Sequence, residues 1–501
     1  MKRREFITLL GGAAAWSVEA SGQQLGSVEL EISNIGPLVV STDNPRYFAK
    51  PDGTAVYLTG SHVWNNFQDW YNPPYSLDFN AYVAWMVANH QTFIRLWMPA
   101  NEGPAGAECE PGNPAWIFSP VAWARTGPGT AADGGLRFDL TQFNQSHFDR
   151  LRARVIAAQN AGIYVSIMLF NGWSVHHPDP WTYHPFRSNN NINRISGDPG
   201  STGIGDTTHT LSIPAVTDLQ KLYVRRVIDT VNDLDNVLYE ICNEDHADDD
   251  GTPAFAWQQE LVNYIHSYEG TKPKQHPVGI TAIINISNAS LDASNADWIS
   301  PGGAQGVESD NPPQNNVKVS LADIDHIRPN GATSDVWCWR VLCRGYNVIH
   351  MDSMDDPDTG ISGVKPGGSV QGPDGVDYNV PVRRGMSQTA RYAARFNLRY
   401  MASQSALCST GFCLATPGSQ YLALRPSGSS AFTVDLSAGS GKTFSIEWLD
   451  VANDIVQYRS PVVGGSSAQV FTPPFSGGAV LFLNAMAHRH GNSPINGGQL
   501  R

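Results

Sequence analysis

The chain has 501 residues, 33 Lys and Arg against 46 Asp and Glu, and a formal net charge of −13. An acidic balance of this size argues against a nucleic acid or an anionic membrane surface as partner. The length and the 41% hydrophobic content allow a large domain plus a smaller one, and six cysteines in so long a chain do not make a disulfide scaffold.

Residues 1–20, MKRREFITLLGGAAAWSVEA, place Lys2, Arg3 and Arg4 ahead of an apolar Gly/Ala-rich run that ends in small residues. This is the pattern of a twin-arginine export signal, too short for a membrane-spanning helix. The expected mature chain starts near Ser21, works in the periplasm or outside the cell, and has no membrane segment once the signal is removed.

Beyond it, LGSVELEIS at 25–33 reads as an early strand, and AVYLTGSH at 55–62 as the first strand of a repeating series. Asp78 caps a helix over 78–90 with Phe79, Tyr82, Val83 and Met86 on one face. TFIRLWM at 92–98 is the second strand. A Gly/Pro-rich insertion at about 100–135 separates it from a helix near 144–161, with Phe148, Leu151 and Val155 at helical spacing. IYVSIMLF from Ile163 is the third strand, followed by a second polar insertion at 173–212 and a helix opened by Pro214.

VLYEICNED at 237–245 is the fourth strand, with Val237, Tyr239 and Ile241 alternating against Leu238, Glu240 and Cys242. A helix starts at Thr252, HPVGITAI from His276 is the fifth strand, and Trp298-Ile299 is the weakest candidate, as the sixth. VKVSLADIDH from Val317 is the seventh, Ser334 to Arg344 a helix, YNVIHMD from Tyr346 the eighth, and 384–403 the closing helix. Eight strands alternating with helices predict a (β/α)8 TIM barrel of class α/β, spanning 21–404 with its N-terminal strand. A doubly wound sheet lacks support, because no Gly-rich phosphate loop follows the first strand.

From 405 to 487, short alternating strands parted by Gly, Ser and Pro predict a small antiparallel β-sandwich, and 488–501 is a polar tail. Cys408 and Cys413 flank a turn and can bridge after export. Cys338 and Cys343, five apart on a helix, point apart, and Cys242 reads as a small buried hydrophobe.

Chemistry in such a barrel sits at the C-terminal strand ends. These present His62 with Trp64 and Asn65, then Arg95 and Trp97, Asn171 and Trp173, Asn243 and Glu244, Asp323, Asp325 and His326, and Asp352. Cleaving a glycosidic bond takes two carboxylates across a sugar ring, one as proton donor and one as nucleophile or base. Strands four and seven are nearly opposite, so Glu244 can face Asp323 or Asp325. The 14 Trp, 17 Tyr and 19 Phe suit sugar faces as well as cores. Trp173, His176 and His177 in the second insertion are candidate subsite residues.

IRLW around Arg95, YEICNE around Glu244 and the order of segments resemble the clan A TIM-barrel glycoside hydrolases. YLTGSHVWNNFQD, DIDHI before a Trp-containing helix and RGYNVIHMD resemble more closely a poorly characterised glycoside hydrolase family whose C-terminal sandwich carries a collagen-binding label. The resemblance implies that Glu244 is the acid/base, that Asn243 bonds a sugar 2-hydroxyl, and that Arg95 orients a strand-seven nucleophile. It spans about 36–485 and departs at strand seven, where the clan places Glu and this chain has Asp. The shorter Asp323 leaves retention and inversion both open.

The expected reaction is hydrolysis of O-glycosidic bonds in a poly- or oligosaccharide, needing no metal or organic cofactor. His62, Trp64, Asn65, Arg95, Trp97, Trp173, His177, Asn243, His326 and Asp352 are the expected substrate-binding residues. Two other readings stand beside it. A divalent metal bound by His62, Asp323, Asp325, His326 and Asp352 would serve an ester or amide hydrolase, though no His-x-His or His-Glu-x-x-His motif is present. A barrel that kept its binding cleft and lost its chemistry is the other. Glu240 and Arg95 also admit a plain reading as an interior ion pair. Asp248 to Asp250 and Asp355-Asp356 lack the spacing of a calcium loop and read as solvated loops.

Overall fold

The computed structural model describes residues 36–71, 76–98, 102–104, 115–245, 251–302, 318–323, 334–352 and 379–486. The export segment, the strand expected at 25–33, the polar tail, Asp325, His326 and both acidic loops lie outside them.

Eight parallel strands close into a barrel: β1 (Thr59–His62), β2 (Phe93–Leu96), β3 (Tyr164–Asn171), β4 (Val237–Asn243), β5 (Val278–Thr281), β6 (Trp298–Ser300), β7 (Val319–Asp323) and β8 (Asn347–Met351), each hydrogen-bonded to the next and β8 to β1. The three-residue β6 stands where the weak Trp298-Ile299 signal placed it. The stretch 55–62 is not one strand. Ala55–Val56 pairs instead with Phe48–Ala49, which also pairs with Val39–Val40.

The lower barrel is filled by Phe93, Tyr164, Leu238, Trp298, Val319, Leu321 and Ile349, and Leu38, Phe48 and Leu58 pack with them from its N-terminal approach. Such layered apolar filling is what a closed barrel needs in place of a pore. Gly279 makes the Trp298 indole possible, since a Cβ there would stand 2.0 Å from the ring.

Outside, α1 (Phe79–Ala88), α2 (Gln145–Asn160), α3 (Pro214–Val231), α4 (Thr252–Glu269), the short α5 (Asn288–Asp292), α6 (Asp335–Cys343) and α7 (Asn379–Ala393) accompany the strands. The Asp78 carboxylate accepts from the amides of Asn80 and Ala81, and Pro214 occupies the first turn of α3, both as the sequence predicts. Phe148, Leu151 and Val155 of α2 pack with Val165 and Ile167 of β3 and Tyr239 and Ile241 of β4. Helix α7 ends at Ala393, short of the expected 403. None of the described helices is long and apolar enough to cross a membrane.

The two long insertions carry structure of their own. The first contains the strands Glu102–Pro104 and Ala115–Ser119, and Trp123–Thr130 then pairs with Leu136–Phe143. The second forms the helices Trp173–His176 and Pro178–Tyr183 and the single turn Asp206–His209.

The C-terminal region has a six-stranded antiparallel sheet. Its order is β9 (Ala402–Ser403), β10 (Cys413–Thr416), β11 (Gln420–Arg425), β16 (Ala479–Ala485), β13 (Thr443–Asp450) and β14 (Ile455–Val463). A second, two-stranded sheet pairs β12 (Phe432–Asp435) with β15 (Ala468–Phe471). Tyr392 of α7 and Arg395 just beyond it both bond Glu447 of β13, at 2.6 Å and at 2.7 and 2.6 Å. Around them Trp339, Leu342 and Phe396 pack with Leu422, Leu424, Leu449 and Phe482, so the two regions share a core. Cys408 and Cys413 are free thiols, not a bridge. Both are buried in the sandwich core, and the Cys408 sulfur meets the Thr410 hydroxyl at 3.1 Å.

Candidate active site

Arg95 organises the barrel mouth. Its side chain is 1% exposed and rises from β2 into a ring of acceptors on β4 and β7. Nε lies 2.8 Å from Glu240 Oε2, and Nη2 bonds Glu240 Oε1 and, at 2.7 Å, Asn243 Oδ1. Nη1 reaches Asp323 Oδ2 at 3.2 Å. A guanidinium is the cation whose planar fork can hold several oxygens at once. Arg95 thus pairs with Glu240 and also bonds Asp323.

The alternation expected for β4 breaks near its end. Leu238 packs in the barrel and Glu240 meets Arg95, while Val237, Tyr239 and Ile241 pack among the helices. Cys242 joins that outer group, yet Asn243 turns to Arg95. The next residue, the half-buried Glu244, has φ of 41°, in the left-handed region that side chains with a Cβ avoid. The Asn243 amide also donates to Asn171 Oδ1 on β3 at 3.1 Å.

Aromatic rings form one wall. Trp97 stacks on His62 and on Trp64, both with ring centres 5.4 Å apart, and lies 5.0 Å beneath the Arg95 guanidinium. Nε2 of His62 stands 3.5 Å from Asp323 Oδ2. Both His62 ring nitrogens are buried without a hydrogen-bond partner among the described residues. The Trp64 indole N–H points to the Met351 sulfur at 3.1 Å, and Asn65 is fully buried nearby in the chain. His62, Arg95, Trp97, Asn243 and Asp323 thus converge.

Asp352 adjoins that group through its backbone, the amide donating to the His62 carbonyl at 2.9 Å, while Asp325 and His326 lie outside the described residues. Arg383 of α7 grips the carboxylate of Asp352, Nε to Oδ2 at 2.7 Å. Both carboxylate oxygens of Asp352 are thereby engaged by Arg383. Trp173 and His177 contact each other, ring centres 5.0 Å apart, on the insertion after β3. Burial pushes His177 below its ordinary value, which favours the neutral ring.

Sequence reasoning missed a second polar cluster behind β4. Asp245 accepts from His176, His209 and Gln258. Nothing local signals it, because its members lie on three separated segments. His209, Cys242 and Asp245 bring three donor atoms within 4.8 Å of one another, the one grouping among the described residues with metal-ligand spacing. Burial and Asp245 push the Cys242 thiol well above its ordinary value, so it stays protonated. His209 and Asp245 already bond each other at 3.1 Å. A soft divalent ion would have to displace both arrangements.

A separate cavity lies between β3 and helices α2 and α3, lined among others by Trp123, His147, Phe170, Asn171, Phe186 and Tyr223. It does not include the Arg95 cluster.

A closed (β/α)8 barrel with an antiparallel C-terminal region and a charged mouth at its C-terminal strand ends defines the class of molecule. Residues 113–299 match a family model described as a domain of unknown function, DUF6298. No curated protein matches the chain. A solved structure described as a glycoside hydrolase is 14% identical, with a TM-score of 0.54, covering 90% of this chain and 97% of its own. A family 5 glycoside hydrolase from Bacteroides vulgatus is 13% identical, with a TM-score of 0.56, covering 90% of this chain and 93% of its own. At these identities the likeness is one of fold.

Proposed function

We propose that this protein is an exported glycoside hydrolase that cleaves O-glycosidic bonds of a poly- or oligosaccharide with two carboxylates and no cofactor. The observation that carries the reading is Arg95, which bonds both Asn243, the neighbour of Glu244, and Asp323. A single buried cation thereby ties the ends of strands four and seven together, where an acid and a nucleophile must face one sugar.

In this reading Glu244 protonates the departing glycosidic oxygen while Asp323 adds to the anomeric carbon. The C–O bond breaks as the ester to Asp323 forms. Water, deprotonated by Glu244, then releases the sugar with its configuration retained. Arg95 orients Asp323 for attack, Asn243 bonds the 2-hydroxyl, and Trp97, Trp64 and His62 form the sugar platform. The twin-arginine pattern at Arg3-Arg4 supports action in the periplasm or outside the cell.

The test is a screen of residues 21–501 against plant and microbial polysaccharides and aryl glycosides, with Glu244→Gln beside it. Sugar release by the wild type that falls at least about a hundredfold in Glu244→Gln supports the assignment. Equal rates would end it. NMR of the first-formed anomer decides the role of Asp323: an inverted product makes it the base for water.

A further inference from the structure

Asp245, the neighbour of Glu244, is held on every side. It is fully buried, and Oδ1 accepts from His209 Nδ1 at 3.1 Å and His176 Nε2 at 3.4 Å, while Oδ2 accepts from Gln258 Nε2 at 3.0 Å. Each donor is itself fixed. Nδ1 of His176 meets Asp206 at 2.5 Å, the His209 ring lies flat on Trp257 with centres 4.4 Å apart, and Gln258 sits on α4. The Asp245 carbonyl also accepts from the Ile284 amide at 3.3 Å.

On the other side of Glu244, the Gly172 amide donates to the Asn243 carbonyl at 2.7 Å. A Cβ on Gly172 would stand 2.5 Å from the Glu244 carbonyl oxygen. Glu244 is thus the link between two anchored residues, and it bears the positive φ. Such a conformation persists only where its surroundings over-determine it. Relaxing it to an ordinary strand angle would redirect the side chain, because successive strand residues face opposite ways.

We propose that Asp245, gripped by His176, His209 and Gln258, is the positioning residue that holds Glu244 in its left-handed backbone conformation and so aims its carboxyl group at the leaving oxygen. The inference rests on the reading of Glu244 as the acid. Asp245 touches no substrate; it acts through the main chain.

Two measurements on residues 21–501 test it, and they separate the clamp from the acid. The first is thermal denaturation of a cycle of four: wild type, Glu244→Gly, Asp245→Asn and the double variant. Glycine at 244 relieves the positive φ only where the clamp enforces it, so Glu244→Gly should raise Tm by about 2 °C or more in the wild type and not at all beside Asp245→Asn. An equal shift in both backgrounds overturns the clamp. If Asp245→Asn does not fold, His209→Gln takes its place in the cycle.

The second compares a 2,4-dinitrophenyl glycoside, whose leaving group needs no proton, with the 4-methoxyphenyl glycoside of the same sugar. Asp245→Asn should lose about 10- to 100-fold in kcat/KM on the methoxyphenyl substrate and stay within about threefold in kcat/KM on the other, because that ratio reports the cleavage step alone, before Glu244 acts on water. Equal loss on both overturns the positioning role. If Glu244→Gln itself shows no leaving-group dependence while the Tm cycle holds, the acid assignment fails and the clamp stands. A metal bound one per chain and lost with Cys242→Ser would replace the hydrogen-bond clamp by a ligand set and overturn it.

Discussion

Arg95 and Asp323 stand 228 positions apart in sequence, and their side chains meet at 3.2 Å inside the barrel mouth. The same guanidinium bonds Glu240 and Asn243, so three acceptors depend on one fork. Arg95→Lys keeps the charge and loses the fork, leaving buried oxygens unmatched. We expect a stability loss of about 3–5 kcal/mol and a fall in kcat/KM of about a hundredfold or more, read by urea unfolding and by the aryl glycoside assay. A variant as stable as the wild type would remove Arg95 from the centre of the site.

Gly279→Ala tests the barrel filling. The added Cβ would stand 2.0 Å from the Trp298 indole, itself fully buried between strands that cannot part. Overpacking of this kind costs about 1–3 kcal/mol, which thermal denaturation should register as a clearly lower Tm. An unchanged Tm would mean that Trp298 has another place to go.

Acid should weaken the fold before the carboxylates titrate. Burial pushes His147 down from 6.5 to about 4 and His184 to about 3. A group with a depressed folded value binds its proton first in the unfolded chain, so its stabilisation is complete above pH 6.5 and is lost as the pH falls toward 4 and 3. The loss should reach about 3 kcal/mol for His147 alone by pH 4. His176 has the opposite sign: Asp206 and Asp245 outweigh its burial and raise it, so its contribution is complete below 6.5 and lost as the pH rises through the raised value. Urea midpoints from pH 4 to 8 in wild type and His147→Gln check this, and equal acid sensitivity in both would refute the assignment to His147.

Glu447→Gln tests the join between the barrel and the C-terminal sheet. Glu447 receives Tyr392 and both ends of the Arg395 guanidinium, and the amide offers only one acceptor oxygen in place of two. We expect a loss of about 1–3 kcal/mol and faster proteolysis near residue 400, with sugar release at permissive temperature unaltered. Sugar release falling together with Tm would instead tie the sheet to the catalytic mouth.

Much of the frame was legible because it follows from local chemistry. Asp78 and Pro214 mark helix starts by what they do to backbone N–H groups, and Phe148, Leu151 and Val155 mark a face by spacing alone. The split of 55–62 was not legible. Its run of Ala55, Val56, Tyr57 and Leu58 leads into Thr59 with no Gly or Pro between them, but Ala55–Val56 finds partners in a separate small sheet. The same limit hid the partners of Asp245, which come from the second insertion and α4, and the pairing of Asp352 with Arg383 of α7.

The sequence by itself determined the alternation of strands and helices, the C-terminal β region and the residues standing at the strand ends, because period, caps and turns are short-range properties of the chain. Only the tertiary structure decided that Arg95 joins Glu240, Asn243 and Asp323, and that Asp352 is taken by Arg383. It also decided that β4 leaves its alternation at Cys242 to put Glu244 at a positive φ. Those outcomes depend on which buried charges are brought within reach of one another when the barrel closes, and no local pattern encodes that.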